Sequence, residues 1–581
     1  MGNVLMRSVP ETSNLHFLHN KAANVSLMDA RDQMDVSVVV PVWNPGPDFD
    51  RCLRSLLRQS LPADRYEIIF VDDGSTDGTA ERLDELAAQH EQIKVIHIPN
   101  SGWPGKPRNI GIAHARGEYI QFVDNDDSLA PEALERLVAF GRANDSDIVI
   151  GKVTSDFRPT HHPVFRVNRP RCTMLDAPIV NILTPHKMFR RELMERHPEL
   201  RYPEGKRRLE DQLFVMKAYF LAKNISVLSD YTCYYYNRRT SGKNAGSNLI
   251  EPEGFYGNLR EVLDVIDTYA PSQAERDRIA VRFLRSDVLA RLGDRLPDRK
   301  PDYRDRLFRE IRSVMAERFD PSIDAKLPPM VRVRAALGRE GRLDDLMEYA
   351  KRTRGYRAAA HVERWDWADG RLRVRAVLRL VSAEGKPLPL VRRDGEVYLS
   401  TELTGPDVPL AARHVDLENP EELADIVIKR RRTGDLYFVP STSKAELTGA
   451  GTDAEGERVH VTYIVDGELD AATAQAGRPL GRGIWDVLGR LQVLGWASQK
   501  ALGGDRGPGA GTPRGVVRIG DLRLQPYLTE GGGSLAIAAE SPHASLKTRA
   551  ARALRNVPPD TRTRVRTLAR RMTGRTPAKK G

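Results

Sequence analysis

The chain has 581 residues, 40% of them hydrophobic and 29% charged, with a mean hydropathy of −0.47. That is too long for one core, and the composition is that of an ordinary soluble protein rather than a disordered or fibrous one. No uninterrupted apolar run is long enough to cross a bilayer, and the polar first 34 residues lack the apolar core of a signal peptide.

Three widely spaced cysteines, Cys52, Cys172 and Cys233, form no metal-ligand pattern and read as buried free thiols in a reducing compartment. These features together predict a cytoplasmic protein. The net charge of +11 is confined to one end: residues 543–581 carry twelve Lys/Arg against a single acid, Asp560, so the body is neutral.

After the polar extension (1–34), Val36 to Val42 is a continuous β-branched run, the mark of a strand buried on both faces. The pattern then predicts a helix at 49–59, a strand at 67–71, a helix at 80–89, a strand at 94–98, a helix at 109–115 and a strand at 119–123. Strands alternating with helices over short connections predict an α/β fold with a parallel, doubly wound sheet, spanning 35–250. Ligands of such sheets bind beyond the carboxyl ends of the strands. Periodicity turns helical over 251–355. From 356 to 541 it becomes a period of two, clearest where Leu372, Val374, Ala376, Leu378 and Leu380 alternate with arginines. A β-sandwich module is expected there, with Gly503–Gly515 as an internal loop.

The polar clusters fall at strand ends. Pro41-Val42-Trp43-Asn44 follows the first strand and Asp72-Asp73-Gly74-Ser75 the second. Gly105-Lys106-Pro107-Arg108-Asn109 precedes the fourth strand, and Asp124-Asn125-Asp126-Asp127 follows it. Asp72 and Asp73 suit either a turn before the next helix or a ligand contact. Three acids within four residues repel one another and favour a bound cation, unless they form a solvated turn. Glu210-Asp211 opens a helical run with an apolar face, where acids also favour the helix dipole. Arg238 to Lys243 is a basic segment that reads equally as a surface run.

In register, these clusters resemble the family 2 glycosyltransferases of the GT-A fold, over about Val36 to Arg239. The resemblance implies a UDP-sugar donor and Mn²⁺ or Mg²⁺. It assigns the uracil edge to Asp73, ring packing to Pro41 and a uridine contact to Arg108. Asp126 is the implied direct metal ligand, with Asp124 beside it toward the ribose. Asp211 is the implied general base, Glu210 orients the acceptor, and inversion follows from a base opposite the leaving UDP. Arg239 and Lys243 are implied to cover the diphosphate.

The Pro104–Asn109 and Tyr202–Asp211 segments and the β-rich C-terminal half narrow the likeness to wall teichoic acid poly(ribitol-phosphate) N-acetylglucosaminyltransferases. That implies UDP-GlcNAc as donor, an anionic polyol-phosphate polymer as acceptor, and immunoglobulin-like C-terminal modules through which a homo-oligomer forms. A capsule, exopolysaccharide or glycolipid acceptor is the alternative, as is a non-catalytic scaffold. The processive synthases are disfavoured, since their Gln-x-x-Arg-Trp motif is absent. The basic tail (542–581) is amphipathic near Ser545–Arg555 and suits the inner, anionic face of the membrane or a polyphosphate. It contains no aromatic residue, so nucleic-acid stacking is not expected.

Overall fold

The computed structural model describes residues 34–541 except 156, 158–159, 161–162, 241–248, 420–422, 504–515 and 530–532. The amphipathic tail, the Gly-rich loop (apart from Gly503) and Lys243 lie outside the described residues.

The run Val36–Val42 forms β1 with every residue buried, as its unbroken apolar character requires. Helix α1 (Phe49–Leu56), β2 (Tyr66–Asp72), α2 (Thr79–Gln89), β3 (Ile93–His97), α3 (Gly105–His114) and β4 (Tyr119–Phe122) follow. Strands β3, β2, β1 and β4 lie side by side and parallel.

Beyond β4 the sheet becomes mixed. After β5 (Ser128–Leu129) and α4 (Ala133–Ala143) come β6 (Ile148–Ser155), β7 (Arg169–Cys172), β8 (Met188–Arg190), α5 (Arg191–Arg196), α6 (Glu210–Leu221) and β9 (Ile225–Tyr236). Strand β8 is antiparallel between β4 and β6, and β9 runs parallel to β6, completing a nine-stranded sheet.

Helix α3 begins four residues before the start read from the pattern. Pro107 sits in its first turn, where a missing N–H costs nothing. This places Arg108 on a helix rather than in a loop. Gly111 on the same helix lies against β1: a Cβ there would stand 2.2 Å from Val39 Cγ1.

Helices Pro252–Tyr269, Gln273–Phe283, Pro301–Arg318, Pro329–Glu340 and Leu343–Thr353 (α7 to α11) build the middle of the chain. Three of them start with proline in the first turn. Their apolar faces, including Leu259, Leu263, Ile311 and Leu337, are fully buried. Among the described residues no helix is long and apolar enough to cross a membrane.

The remainder is two antiparallel seven-stranded sheets packed face to face. The alternating segment is β11 (Arg371–Val381), paired with Arg357–Ala368 (β10) on one side. The other sheet is built around Leu423–Arg430, Gly483–Val493 and Leu535–Glu540. Two glycines let the layers approach, since a Cβ on Gly467 would meet Ile426 at 2.8 Å and one on Gly489 would meet Leu378 at 2.9 Å.

Replacing Gly111 with Ala forces α3 off β1 and is expected to destabilise the chain by about 1–3 kcal/mol. Gly254→Ala, on a helix position with open space around it, should leave the urea midpoint unchanged or raise it slightly. Equal midpoints for the two variants would contradict this packing.

Candidate active site

The site lies at the carboxyl ends of β1, β2 and β4, where a doubly wound sheet leaves its crevice. At the end of β2, Asp73 is 4% exposed. Its backbone N–H donates to Val42 O at 2.8 Å. Its carboxylate accepts from the Ser101 N–H at 2.7 Å and from Ser101 Oγ at 3.0 Å. Gly74 has φ +70° and faces the Asn100 backbone, which a Cβ would approach to 2.8 Å. The Asp73 carboxylate is therefore held in one orientation. Pro41 is buried beside it in sheet order, and its carbonyl accepts from Asn125 Nδ2 at 3.1 Å.

Arg108 is the centre of the site. It is 2% exposed, yet its guanidinium bridges two carboxylates: Nη1 donates to Asp211 Oδ1 at 2.6 Å and Nη2 to Asp124 Oδ1 at 2.9 Å. Its third nitrogen, Nε, is buried without a hydrogen-bond partner among the described residues. The cation lies over the Tyr202 ring, 5.2 Å from its centroid, and that ring stacks on Phe214 of α6. A cation this deep needs compensating anions. Asp211 and Asp124, which lie on α6 and after β4, supply them.

Asp211 and Glu210 open α6, which is entered through Leu209 in the left-handed region at φ +64°. That is an unusual backbone for leucine. Burial pushes the Asp211 carboxyl up; the Arg108 cation opposes this and the Asp124 charge adds to it. Glu210 is raised to about 7, by burial and then by the Asp211 charge. Lys187, fully buried, is lowered to about 7 by burial against the pull of Asp211, and its Nζ donates to the Thr184 carbonyl.

On the other side of Arg108, Asp124 Oδ2 pairs with His186 Nε2 at 3.0 Å. The imidazole stacks on Tyr234 at 4.2 Å, and its Nδ1 meets Tyr236 Oη at 3.2 Å. Asp127 accepts from Tyr234 Oη and from the Asn237 N–H, each at 2.8 Å. Burial raises Asp124, but His186 and Arg108 outweigh it and hold the carboxyl far below its ordinary range. Asp127 goes the other way, pushed well up by burial and by the Asp126 and Asp124 charges.

Ligand atoms of Asp124, Asp127 and His186 all lie within 4.8 Å of one another. Two carboxylate oxygens and one imidazole nitrogen fit a divalent cation, and the nitrogen suits Mn²⁺ better than Mg²⁺. A cation there would relieve the repulsion that raises Asp127.

The structure thus distributes the sequence-derived residues unevenly. Arg108, Asp124, Glu210 and Asp211 converge. Arg108 has both terminal nitrogens on carboxylates, where the resemblance implied a uridine contact. Asp126, the implied direct metal ligand, is instead paired with Arg239: Arg239 Nε donates to Asp126 Oδ2 at 2.6 Å, and Nη2 reaches Asn125 Oδ1 at 3.3 Å. Asp127 takes its place in the convergent set because successive residues in a tight turn point apart. His186 and Lys187 carried no sequence signal. They precede β8, far along the chain from the acidic cluster, and only the antiparallel pairing of β8 with β4 brings them in.

Comparison with known proteins identifies the family. Residues 37–197 match the glycosyl transferase family 2 description, and residues 252–350 match the glycosyl transferase TarS linker domain. The chain is 33% identical over 515 residues to the poly(ribitol-phosphate) beta-N-acetylglucosaminyltransferase TarS of Staphylococcus aureus, covering 86% of this chain and 83% of that one. It is 38% identical over 253 residues to a poly(ribitol-phosphate) beta-glucosyltransferase of Bacillus spizizenii, covering 43% of this chain and 40% of the relative. The crystal structure of S. aureus TarS 1–349 in complex with UDP-GlcNAc superimposes with a TM-score of 0.51 at 29% identity, over 61% of this chain and 98% of that one.

Calorimetric titration with Mn²⁺ in the presence of UDP distinguishes the two acidic arrangements. Asp124→Asn, Asp127→Asn and His186→Ala are expected to weaken Mn²⁺ binding by about tenfold or more. Asp126→Asn should retain wild-type affinity, and the reverse order would restore Asp126 as the ligand.

Proposed function

We propose, from the premise that the chain belongs to the family 2 glycosyltransferases of the TarS type, that it transfers GlcNAc from UDP-GlcNAc to the ribitol hydroxyls of a poly(ribitol-phosphate) wall teichoic acid, with inversion. The observation that carries this reading is the Arg108 bridge, which joins a donor-side acidic cluster to an acceptor-side carboxylate across one guanidinium.

The family resemblance and the geometry together support the following roles. The fixed Asp73 carboxylate retains lone pairs to accept from the uracil imide N–H, with Pro41 packing against the ring. Asp124, Asp127 and His186 would hold the divalent cation, which would supply positive charge for a departing diphosphate. Arg239 exchanges Asp126 for the diphosphate when donor binds, and Lys243 adds a second cation. Asp211 takes the proton from the attacking ribitol hydroxyl as its oxygen bonds to the anomeric carbon and the bond to UDP breaks. Glu210, buried beside it, orients the acceptor. Attack opposite the leaving group gives the inverted product.

UDP-glucose is the second donor reading, favoured by the 38% identity over 253 residues to a glucosyltransferase. A panel of UDP-sugars with Mn²⁺ and purified teichoic acid, read by UDP release and by the anomeric proton coupling of the product, decides donor and stereochemistry. Retention of configuration would remove Asp211 from its role as base in a single displacement.

Asp211→Asn should lower kcat by about 10²–10⁴-fold while leaving UDP binding intact. Wild-type-like turnover in that variant would disprove the assignment. The pH profile offers a separate check. A carboxylate raised to about 7 loses its charge as pH falls, so kcat/KM should decline below about pH 7 if Glu210 acts ionised. Glu210→Gln should lower activity throughout and abolish that acidic limb. An unchanged limb would assign it to another group.

A further inference from the structure

The β-rich module docks directly on the catalytic sheet. Its docking element is the hairpin of β12 (Leu423–Arg430) and β13 (Leu436–Phe438). The turn between them contains Gly434, at φ +78°, where a Cβ would come 3.0 Å from Ser155 O of β6. Thr154 Oγ1 donates to the Gly434 carbonyl at 2.9 Å. Tyr437, 2% exposed, lies against Lys152, whose Nζ is 3.1 Å from the ring centroid and has no hydrogen-bond partner among the described residues.

An ion triad closes the seam. Arg166 donates to both oxygens of Asp425, at 2.8 and 2.7 Å. Arg490 Nη1 reaches the same carboxylate at 3.1 Å, with both side chains 6% exposed. Phe438 lies between the two guanidiniums, with centroid distances of 4.2 and 5.5 Å.

The strands that receive this hairpin also carry the catalytic centre. Lys152, Val153, Thr154 and Ser155 of β6 pair with Thr232, Tyr234, Tyr235 and Tyr236 of β9. Tyr234 donates to Asp127, Tyr236 meets His186, and the following residues Asn237 and Arg239 bind Asp127 and Asp126. The end of β9 is thus held by the acidic site, and the adjacent ends of β6 by the C-terminal module. Packed strands transmit displacement because interiors have little free volume.

We propose that the β12–β13 hairpin is a positioning element of the catalytic centre, with Asp425 holding Arg166 on the 163–166 turn that packs on β9, and through it the β6–β9 pair, Tyr234, Asn237 and the Asp124–Asp127–His186 cluster. The module is then part of the active-site support, in addition to anything it binds. The proposal rests on the glycosyl transfer proposed above only for its kinetic readout.

The experiment uses the full chain. Asp425→Asn is compared with Asp425→Glu, with Arg166→Gln, and with Glu468→Gln, which breaks an exposed ion pair of Arg371 and Arg373 in the same module. Arg166→Gln acts from the catalytic side and leaves the Asp425–Arg490 pair in place should Asp425→Asn fail to fold. Thermal unfolding establishes that each variant compared is folded.

The seam variants should weaken Mn²⁺ binding by calorimetry about tenfold and lower kcat similarly, with KM for the donor at saturating Mn²⁺ nearly unchanged. Asp425→Glu should recover part of both losses, and Glu468→Gln should show neither. Folded seam variants with wild-type Mn²⁺ affinity overturn the proposal and leave Asp425 a purely stabilising residue. A wild-type chain that binds Mn²⁺ but releases no UDP from any UDP-sugar sinks the transferase reading, while the calorimetric comparison still decides the seam. A wild-type chain that takes up no Mn²⁺, with or without UDP, overturns the seam proposal.

Discussion

A guanidinium with almost no exposure to water, held between two carboxylates from different parts of the chain, is the constraint on which the catalytic half depends. Burying Arg108 unpaired would cost several kcal/mol. With Asp124 and Asp211 in place, that penalty becomes a requirement on where β4 ends and where α6 begins. Much of the neighbouring structure serves this requirement. Gly105 lets α3 approach the segment before α6, since a Cβ would stand 2.4 Å from Pro203 O. Asn109 then clasps the same segment, donating to Tyr202 O at 2.8 Å and accepting from the Tyr202 N–H at 2.9 Å. The left-handed Leu209 turns the chain so that α6 starts with its two acids at the site.

The same bridge sets the electrostatics. One guanidinium serves two carboxylates, so neither is fully neutralised and the surplus negative charge is spread across the site. His186 and Arg108 hold Asp124 ionised against its burial, whereas burial and then neighbouring negative charge push Glu210 and Asp127 toward protonation. Clustered carboxylates with pKa values pushed apart in this way are the kind of arrangement that could hold a divalent cation. Asp124 and Asp211 are therefore coupled through one side chain, and a change at Arg108 would be felt by both.

The C-terminal half adds a second level of support. A β-module could attach through the helical region alone, since α10 already hydrogen-bonds it where Met330 N–H meets Leu494 O at 3.1 Å. Instead it also grips β6 through Thr154 and Lys152, and the turn at 163–166 through the Arg166–Asp425 pair. Buried ion triads are weak sources of stability but strong sources of geometry, because a misplaced partner leaves an uncompensated charge.

Much of this was legible from residue order. The β-branched run of β1 and the arginine-spaced alternation of β11 declare buried and half-buried strands, because side-chain period and burial are local consequences of sequence. Asp73 and Asp124 stand out because their motifs follow strand ends, where a doubly wound sheet opens, whereas Arg108, Glu210 and Asp211 stand out through the family resemblance of their motifs. Tertiary structure decided the rest. His186 and Lys187 reach the site only through an antiparallel strand inserted in a largely parallel sheet, a pairing that no local pattern encodes. Which acid of the 124–127 cluster converges with His186 depends on side-chain directions within one turn and on the Arg239 partner supplied after β9. Arg108 bridges rather than reaching outward because the energy of a buried charge is set by what the whole fold places around it.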